Sequence, residues 1–156
     1  MTDPPESLPR VSAAPFVVLD TNVVMAWLVF ADPSCAALAA QVVDGRMRWI
    51  ATTAMRDELA HVLSRGAVDA WRPDVPALWN AWDRHAMQVP APVLAGAALH
   101  LRCTDTDDQK FIDLALGQPA RWLISRDRAV LKLAHRARAF GVGIVTPERW
   151  AEQQPA

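Results

Sequence analysis

The residues of this chain best suited to chemistry are four carboxylates, Asp20, Glu58, Asp108 and Asp127. Asp20 ends the run FVVL, Phe16–Leu19, and is followed by Thr21 and Asn22; Asp127 follows the run RWLIS, Arg121–Ser125, in the turn SRD. Glu58 sits in a helical stretch whose apolar stripe is Met55, Leu59, Val62 and Gly66. At 100° per residue it lies beside Met55 and Val62, while Asp57 points away. Asp108 heads a second stripe with Phe111, Ile112 and Ala115 at i, i+3, i+4, i+7, and Asp113 faces outward. A carboxylate on an apolar face is costly unless it is paired or bound to a metal.

Each acid also has an ordinary explanation. Asp20 and Asp127 suit turn or cap positions, Glu58 suits a core-edge acid paired with an arginine, and first-turn acids favour the helix dipole, which accounts for Asp105 and Asp107 better than for Asp108. Their joint placement carries more. Four acids in one low-dielectric cleft repel one another, and a hard cation resolves the repulsion. Oxygen ligands without an adjacent Cys or His suit Mg²⁺ or Mn²⁺ rather than zinc. Such ions bind phosphate oxygens and activate water for in-line attack, so the chemistry implied is phosphodiester hydrolysis.

The elements that must hold these acids alternate between strand and helix. Phe16–Leu19 reads as a strand buried on both faces, as in a parallel sheet. A helix over Val23–Phe30 follows, and Asp32-Pro33 starts another that Gly45 ends. Arg48–Ala51 is the next strand, and Thr52 and Thr53 cap the Glu58 helix, which reaches Arg65-Gly66. Asp74–Met87 is predicted as a helix, Val89–Pro92 as a prolined edge segment and Val93–Leu101 as a small-residue helix. Thr106 and Gln109 form a capping box that starts a helix near Asp107. The strand Arg121–Ser125, a helix over Arg128–Phe140, the strand Gly141–Val145 and a last helix with Trp150 complete the chain. This alternation predicts an α/β fold with a mostly parallel sheet and helices on both faces. Asp20 and Asp127 then lie on the edge where open α/β sheets bind ligands, and the helices of Glu58 and Asp108 can open toward it.

The chain has 156 residues, enough for one domain, with 52% hydrophobic and 21% charged residues and a net charge of −1. Bulk charge favours no partner, so any nucleic-acid surface must be local. Such a surface is offered by Arg121, Arg126, Arg128, Lys132, Arg136 and Arg138, among which Asp127 is the sole acid; a solvated helix face is the alternative. The four histidines lack ligand spacing, and the seven tryptophans are spaced as core or oligomer contacts. Cys35 and Cys103 read as buried thiols in a reducing compartment. Neither a signal pattern nor a membrane-length apolar run is present, which points to the cytoplasm. Residues 1–15, with Pro4, Pro5, Pro9 and Pro15, read as a flexible leader ahead of a domain over 16–152.

From Phe16 to Trp150, FVVLDTNVV, the Glu58 helix, TDTDDQKFIDLAL, LISRD and GIVTPERW resemble, in the same order, the motifs of PIN-domain proteins. The chain is most similar to the VapC-like ribonuclease toxins of type II toxin–antitoxin systems. The resemblance implies a three-layer α/β/α sandwich, Mg²⁺- or Mn²⁺-dependent cleavage of RNA, frequent homodimers and a small antitoxin partner. It assigns Asp20, Glu58, Asp108 and Asp127 to the metal and the catalysis; mechanistically, Asp20 and Asp108 are expected to ligate the metal most directly and the other two directly or through water. Ser125, Asn22 and Asp107 take supporting roles, and Asp105 or Asp107 can share that of Asp108. Arg126, Arg128 and Lys132 are the candidate RNA contacts. A phosphatase with Asp20 as nucleophile would carry another Asp where this chain has Asn22, and a Rossmann nucleotide site would need a GxGxxG after the first strand. A non-catalytic module that binds RNA or a protein is the remaining alternative, favoured by a missing acid; all four positions are filled.

Overall fold

The computed structural model describes residues 14–154. Most of the expected leader therefore lies outside the described residues. Its last member, Pro15, already joins the sheet ahead of the first strand, its carbonyl accepting from the Arg48 amide at 2.9 Å.

Among the described residues, five short strands form one parallel sheet: β1 (Phe16–Leu19), β2 (Arg48–Ala51), β3 (Ala86–Gln88), β4 (Trp122–Ile124) and β5 (Gly143–Val145), in the order β3-β2-β1-β4-β5. The apolar residues Val17, Val18 and Leu19 are buried on both sides because β1 is the central strand and helices cover both faces. The helices between strands are α1 (Thr21–Leu28), α2 (Ala36–Val43), α3 (Thr53–Ser64), α4 (Val75–His85), α5 (Gln109–Gly117), α6 (Arg128–Leu131) and α7 (Ala134–Ala137), with α8 (Pro147–Glu152) after β5. The expected α/β sandwich with a parallel sheet is thus the observed fold. From β1 the chain winds outward through β2 and β3, then returns to β4 on the other side of β1. That reversal opens a crevice beyond the C-terminal ends of β1 and β4.

Three expectations about elements are corrected. The helix expected over Asp74–Met87 stops at His85, and Ala86–Gln88 pairs with β2 in the register Trp49↔Ala86, Ile50↔Met87, Ala51↔Gln88. A three-residue edge strand is too short to show its own periodicity, so it reads as the tail of the helix. Within Val93–Leu101 only Gly96–His100 winds, as a 3-10 turn entered through Gly96 at φ +64, since these small residues bury no continuous stripe. The helix expected over Arg128–Phe140 is broken into α6, α7 and a 3-10 turn at Arg138–Phe140. At the break the Leu133 amide bonds back three residues to Val130, while Val130, Leu133 and Ala137 all stay buried.

Tryptophans fill much of the β2 side. Trp27 meets Trp49 at 5.6 Å between ring centroids, Trp49 meets Trp82 edge-on at 4.8 Å, and Trp82 meets Trp79 at 5.9 Å. Trp150 of α8 is fully buried, whereas Trp71 is 64% exposed. On the other flank Gly143 lies beside Trp122 in the register of β4 and β5, and a Cβ there would come within 2.5 Å of the indole. No single helix among the described residues is long and apolar enough to cross a membrane.

Candidate active site

The crevice is built first by strand register. Leu19 pairs with Ile124, so the next residues of the two strands, Asp20 and Ser125, emerge side by side. Ser125, fully buried, donates its Oγ–H to Asp20 Oδ2 at 2.6 Å and accepts from the Asp127 amide at 3.0 Å. One hydroxyl thus fixes the first acid and the turn that carries the fourth. Asp20 begins α1 with extended backbone angles but makes no side-chain capping bond, so its carboxylate is left to the crevice. Asp127 does cap its helix, Oδ1 accepting from the Ala129 amide at 2.8 Å. Its ordinary reading and its place in the site therefore hold together, one oxygen serving each.

The third acid arrives through a turn rather than a capping box. Thr106–Asp108 forms a 3-10 turn, and α5 starts at Gln109 rather than near Asp107. Asp105 caps the turn by accepting from the Asp107 amide at 3.0 Å. Gln109 does not return to Thr106; its Oε1 accepts from the Cys103 amide at 2.6 Å and its Nε2 donates to the Leu101 carbonyl at 3.0 Å. This staple places Asp108 in the crevice, where it is 9% exposed and its Oδ2 has no hydrogen-bond partner. Burial, the neighbouring Asp20 charge and a hydrogen bond shared with Asp127 push the Asp108 carboxyl up to about 7. Burial likewise raises Asp20, with Asp127 and Glu58 adding to the rise and the Ser125 hydroxyl opposing it.

The second acid is in a different state. Glu58, on α3, takes a hydrogen bond from the Thr21 hydroxyl on Oε2 and from Lys110 Nζ on Oε1, the latter at 2.8 Å. The expected arginine partner is a lysine, delivered by the first turn of α5. Thr21 and Lys110, the two partners of Glu58 at the candidate site, were passed over by sequence reasoning. Both stood inside the quoted motifs without an assigned role at the site, and only the approach of α1, α3 and α5 shows their common partner.

A sequence profile of the PIN domain matches residues 16–129, a span that runs from β1 into α6 and includes all four acids. The chain belongs to the PIN-domain family. Among curated proteins none matches the chain. PIN domains are in general nucleases that use a divalent metal, and the crevice of this PIN domain fits such an ion. Asp105, Asp108 and Asp127 each offer a carboxylate oxygen, all within 4.8 Å of one another, and the orphaned buried Asp108 Oδ2 is the kind of atom a cation would satisfy. Of the two residues that could share the role of Asp108, Asp105 joins this group, while Asp107 is exposed and offers its main-chain carbonyl to Lys110 at 2.5 Å. The sulfur of Cys103 is not among the atoms that converge with these three carboxylates, so the donor set described is oxygen, and burial raises the Cys103 thiol. Both cysteines are free and buried.

The other sequence candidates are placed as follows. Asn22 is exposed at the second position of α1. Arg126 is drawn into structure: its guanidinium reaches Asp32 at 3.2 Å, Ser34 Oγ at 2.5 Å and Glu148 at 2.6 Å, tying the turn before α2 to the start of α8. Arg128 and Lys132, on and just after α6, are exposed.

Proposed function

We propose that this PIN domain, over residues 16–152, is a Mg²⁺- or Mn²⁺-dependent endoribonuclease. The observation that carries the reading is the buried, unpartnered Oδ2 of Asp108 within a group of carboxylates converging on the switch point of the sheet. A bound divalent ion would supply Lewis acidity toward a phosphate oxygen and lower the pKa of a water.

We read Asp20 and Asp108 as the acids that would hold the ion most directly, Asp20 oriented by Ser125 and Asp108 by the turn that Asp105 caps, although Asp20 lies outside the closely converging group of Asp105, Asp108 and Asp127. Asp127, anchored by the Ala129 amide, offers its other oxygen as ligand or as acceptor for the proton of the attacking water. Glu58 acts from behind, holding Thr21 and Lys110 at the wall of the crevice. Arg128 and Lys132, exposed at the start and just past the end of the helix that Asp127 caps, are the groups to meet the phosphate backbone. The motif resemblance further supports a toxin of a toxin–antitoxin pair, held inactive by a small protein partner, working as a homodimer in the cytoplasm.

The test is cleavage of a mixed RNA pool with Mg²⁺, Mn²⁺ or EDTA, by wild type, Asp20→Asn and Asp108→Asn. Cleavage that needs the metal and falls about 10²–10⁴-fold in both variants supports the nuclease site. Folded wild-type protein that binds RNA but leaves it intact under every metal condition would move the reading to a non-catalytic module.

A further inference from the structure

We propose that Lys110 is the second cation of this site: its ammonium, fixed between Glu58 and the Asp107 carbonyl, takes the place of a second metal ion, so the centre binds one divalent ion and Lys110 turns its remaining N–H to the substrate phosphate. The proposal rests on the nuclease reading and sharpens it. Four acids in a crevice can be neutralised by two ions about 3.5–4 Å apart, each needing carboxylate ligands. Here Glu58 stands apart from the convergent carboxylates, while Asp20 is held by Ser125. Asp108 and Asp127, with Asp105, offer converging oxygens and include the orphaned atom, whereas both Glu58 oxygens are already taken, one by Thr21 and one by Lys110 Nζ at 2.8 Å.

Among the described residues, the ion pairs that involve any of the four acids reduce to Lys110–Glu58. The pair is partly sheltered, with side chains 26% and 25% exposed. An ammonium has three N–H donors. Glu58 takes one and the Asp107 carbonyl, at 2.5 Å, takes another. The third is left for an oxygen that arrives with the substrate, and a compact point charge suits a phosphate oxygen. The same turn of chain that delivers Asp108 delivers Lys110 two residues later, so the start of α5 positions both side chains.

Counting bound Mn²⁺ on the purified protein, by calorimetry and by the loss of the free-ion resonance signal, tests this without reference to turnover. Wild type should bind one ion per chain. Lys110→Met, which keeps the length of the stem and removes the charge, should bind two, and the double variant Lys110→Met with Glu58→Gln should return to one. Glu58→Gln alone should stay at one, a prediction that holds even if the Met variant fails to fold. Two ions on wild type, or one on a folded Lys110→Met protein, would overturn the role of Lys110 and leave the nuclease reading standing. No bound ion on wild type would overturn the metal site, and the role of Lys110 with it.

Discussion

Two regions of this small domain are built on opposite principles. Beside β2, Trp49, Trp82 and Trp79 meet edge to face, Trp27 packs at a tilt on Trp49, and Arg56 lies over Trp79 at 4.4 Å from the ring centroid. There apolar area leaves water and the contacts favour the folded chain. At the end of β1 and β4, buried carboxylates face one another, Asp108 Oδ2 lacks a partner, and the pKa values of Asp20 and Asp108 are raised. A raised acid pKa in the folded state is a cost to folding once the group ionises. The tryptophan region stabilises the fold, and the crevice costs stability, as the proposed ion site would require.

The contrast predicts that damage to the two regions separates cleanly. Trp49→Ala should cost about 3–5 kcal/mol in denaturant unfolding, the range for truncating a buried aromatic, while the folded fraction still binds Mn²⁺. An ion affinity that falls in step with stability would show that the two regions are one cooperative unit. Ser125→Ala comes next in size. It strips the donor from Asp20 Oδ2 and the acceptor from the Asp127 amide, both buried or half-buried, at about 1–3 kcal/mol. Unlike the tryptophan change, it should also move Mn²⁺ binding to higher pH, because the hydroxyl that favours ionised Asp20 is gone.

Asp108→Asn should go the other way. The folded-state pKa of Asp108 lies at about 7 against the ordinary 3.8 of an aspartate, so between these pH values the folded chain holds more protons than the unfolded one. Stability is therefore lost as pH rises through that window, and the loss is complete above about pH 7. The amide variant escapes the loss. In EDTA its melting temperature should exceed wild type by about 3 °C or more at pH 8, the shift that about 1 kcal/mol gives a domain of this size, with a smaller gain at pH 5. A variant that melts below wild type at pH 8 would mean that Asp108 supports the metal-free fold, and the contrast between the regions would fail.

How much of this was legible in the sequence differs between the same two regions. Asp20 and Asp127 could be placed because each follows an apolar run that can only be a strand, and parallel topology puts both strand ends on one edge. Asp108 could be placed by helical periodicity, although the turn that delivers it is tighter than the capping box suggested, since Gln109 spends its amide on Cys103 and Leu101. The partners of Glu58 were out of reach: Thr21 and Lys110 lie 37 and 52 residues away along the chain and meet it only through tertiary packing. The edge strand β3 was hidden for a related reason, because three residues continuing an apolar helix carry no period of their own. The tryptophans could be read as contacts, but their partners were fixed by the sheet order.

The smallest effect belongs to Arg126, at the rim of the crevice, where opposite charges are paired in reach of water. The sequence groups it with Arg128 and Lys132 as an RNA contact. In the fold its guanidinium bridges Asp32 and Glu148 and is about one-third exposed, and pairs so placed are worth about 1 kcal/mol or less. Arg126→Gln should therefore lower unfolding stability by no more than that, and by less still in high salt. Its effect on RNA affinity should be weaker than that of Lys132→Gln, which removes a free cation and should flatten the salt dependence of binding by about one phosphate contact. If instead Arg126→Gln flattens that dependence as much as Lys132→Gln does, the guanidinium leaves its two acids for the phosphate backbone. The rim would then belong to the functional region rather than to the scaffold.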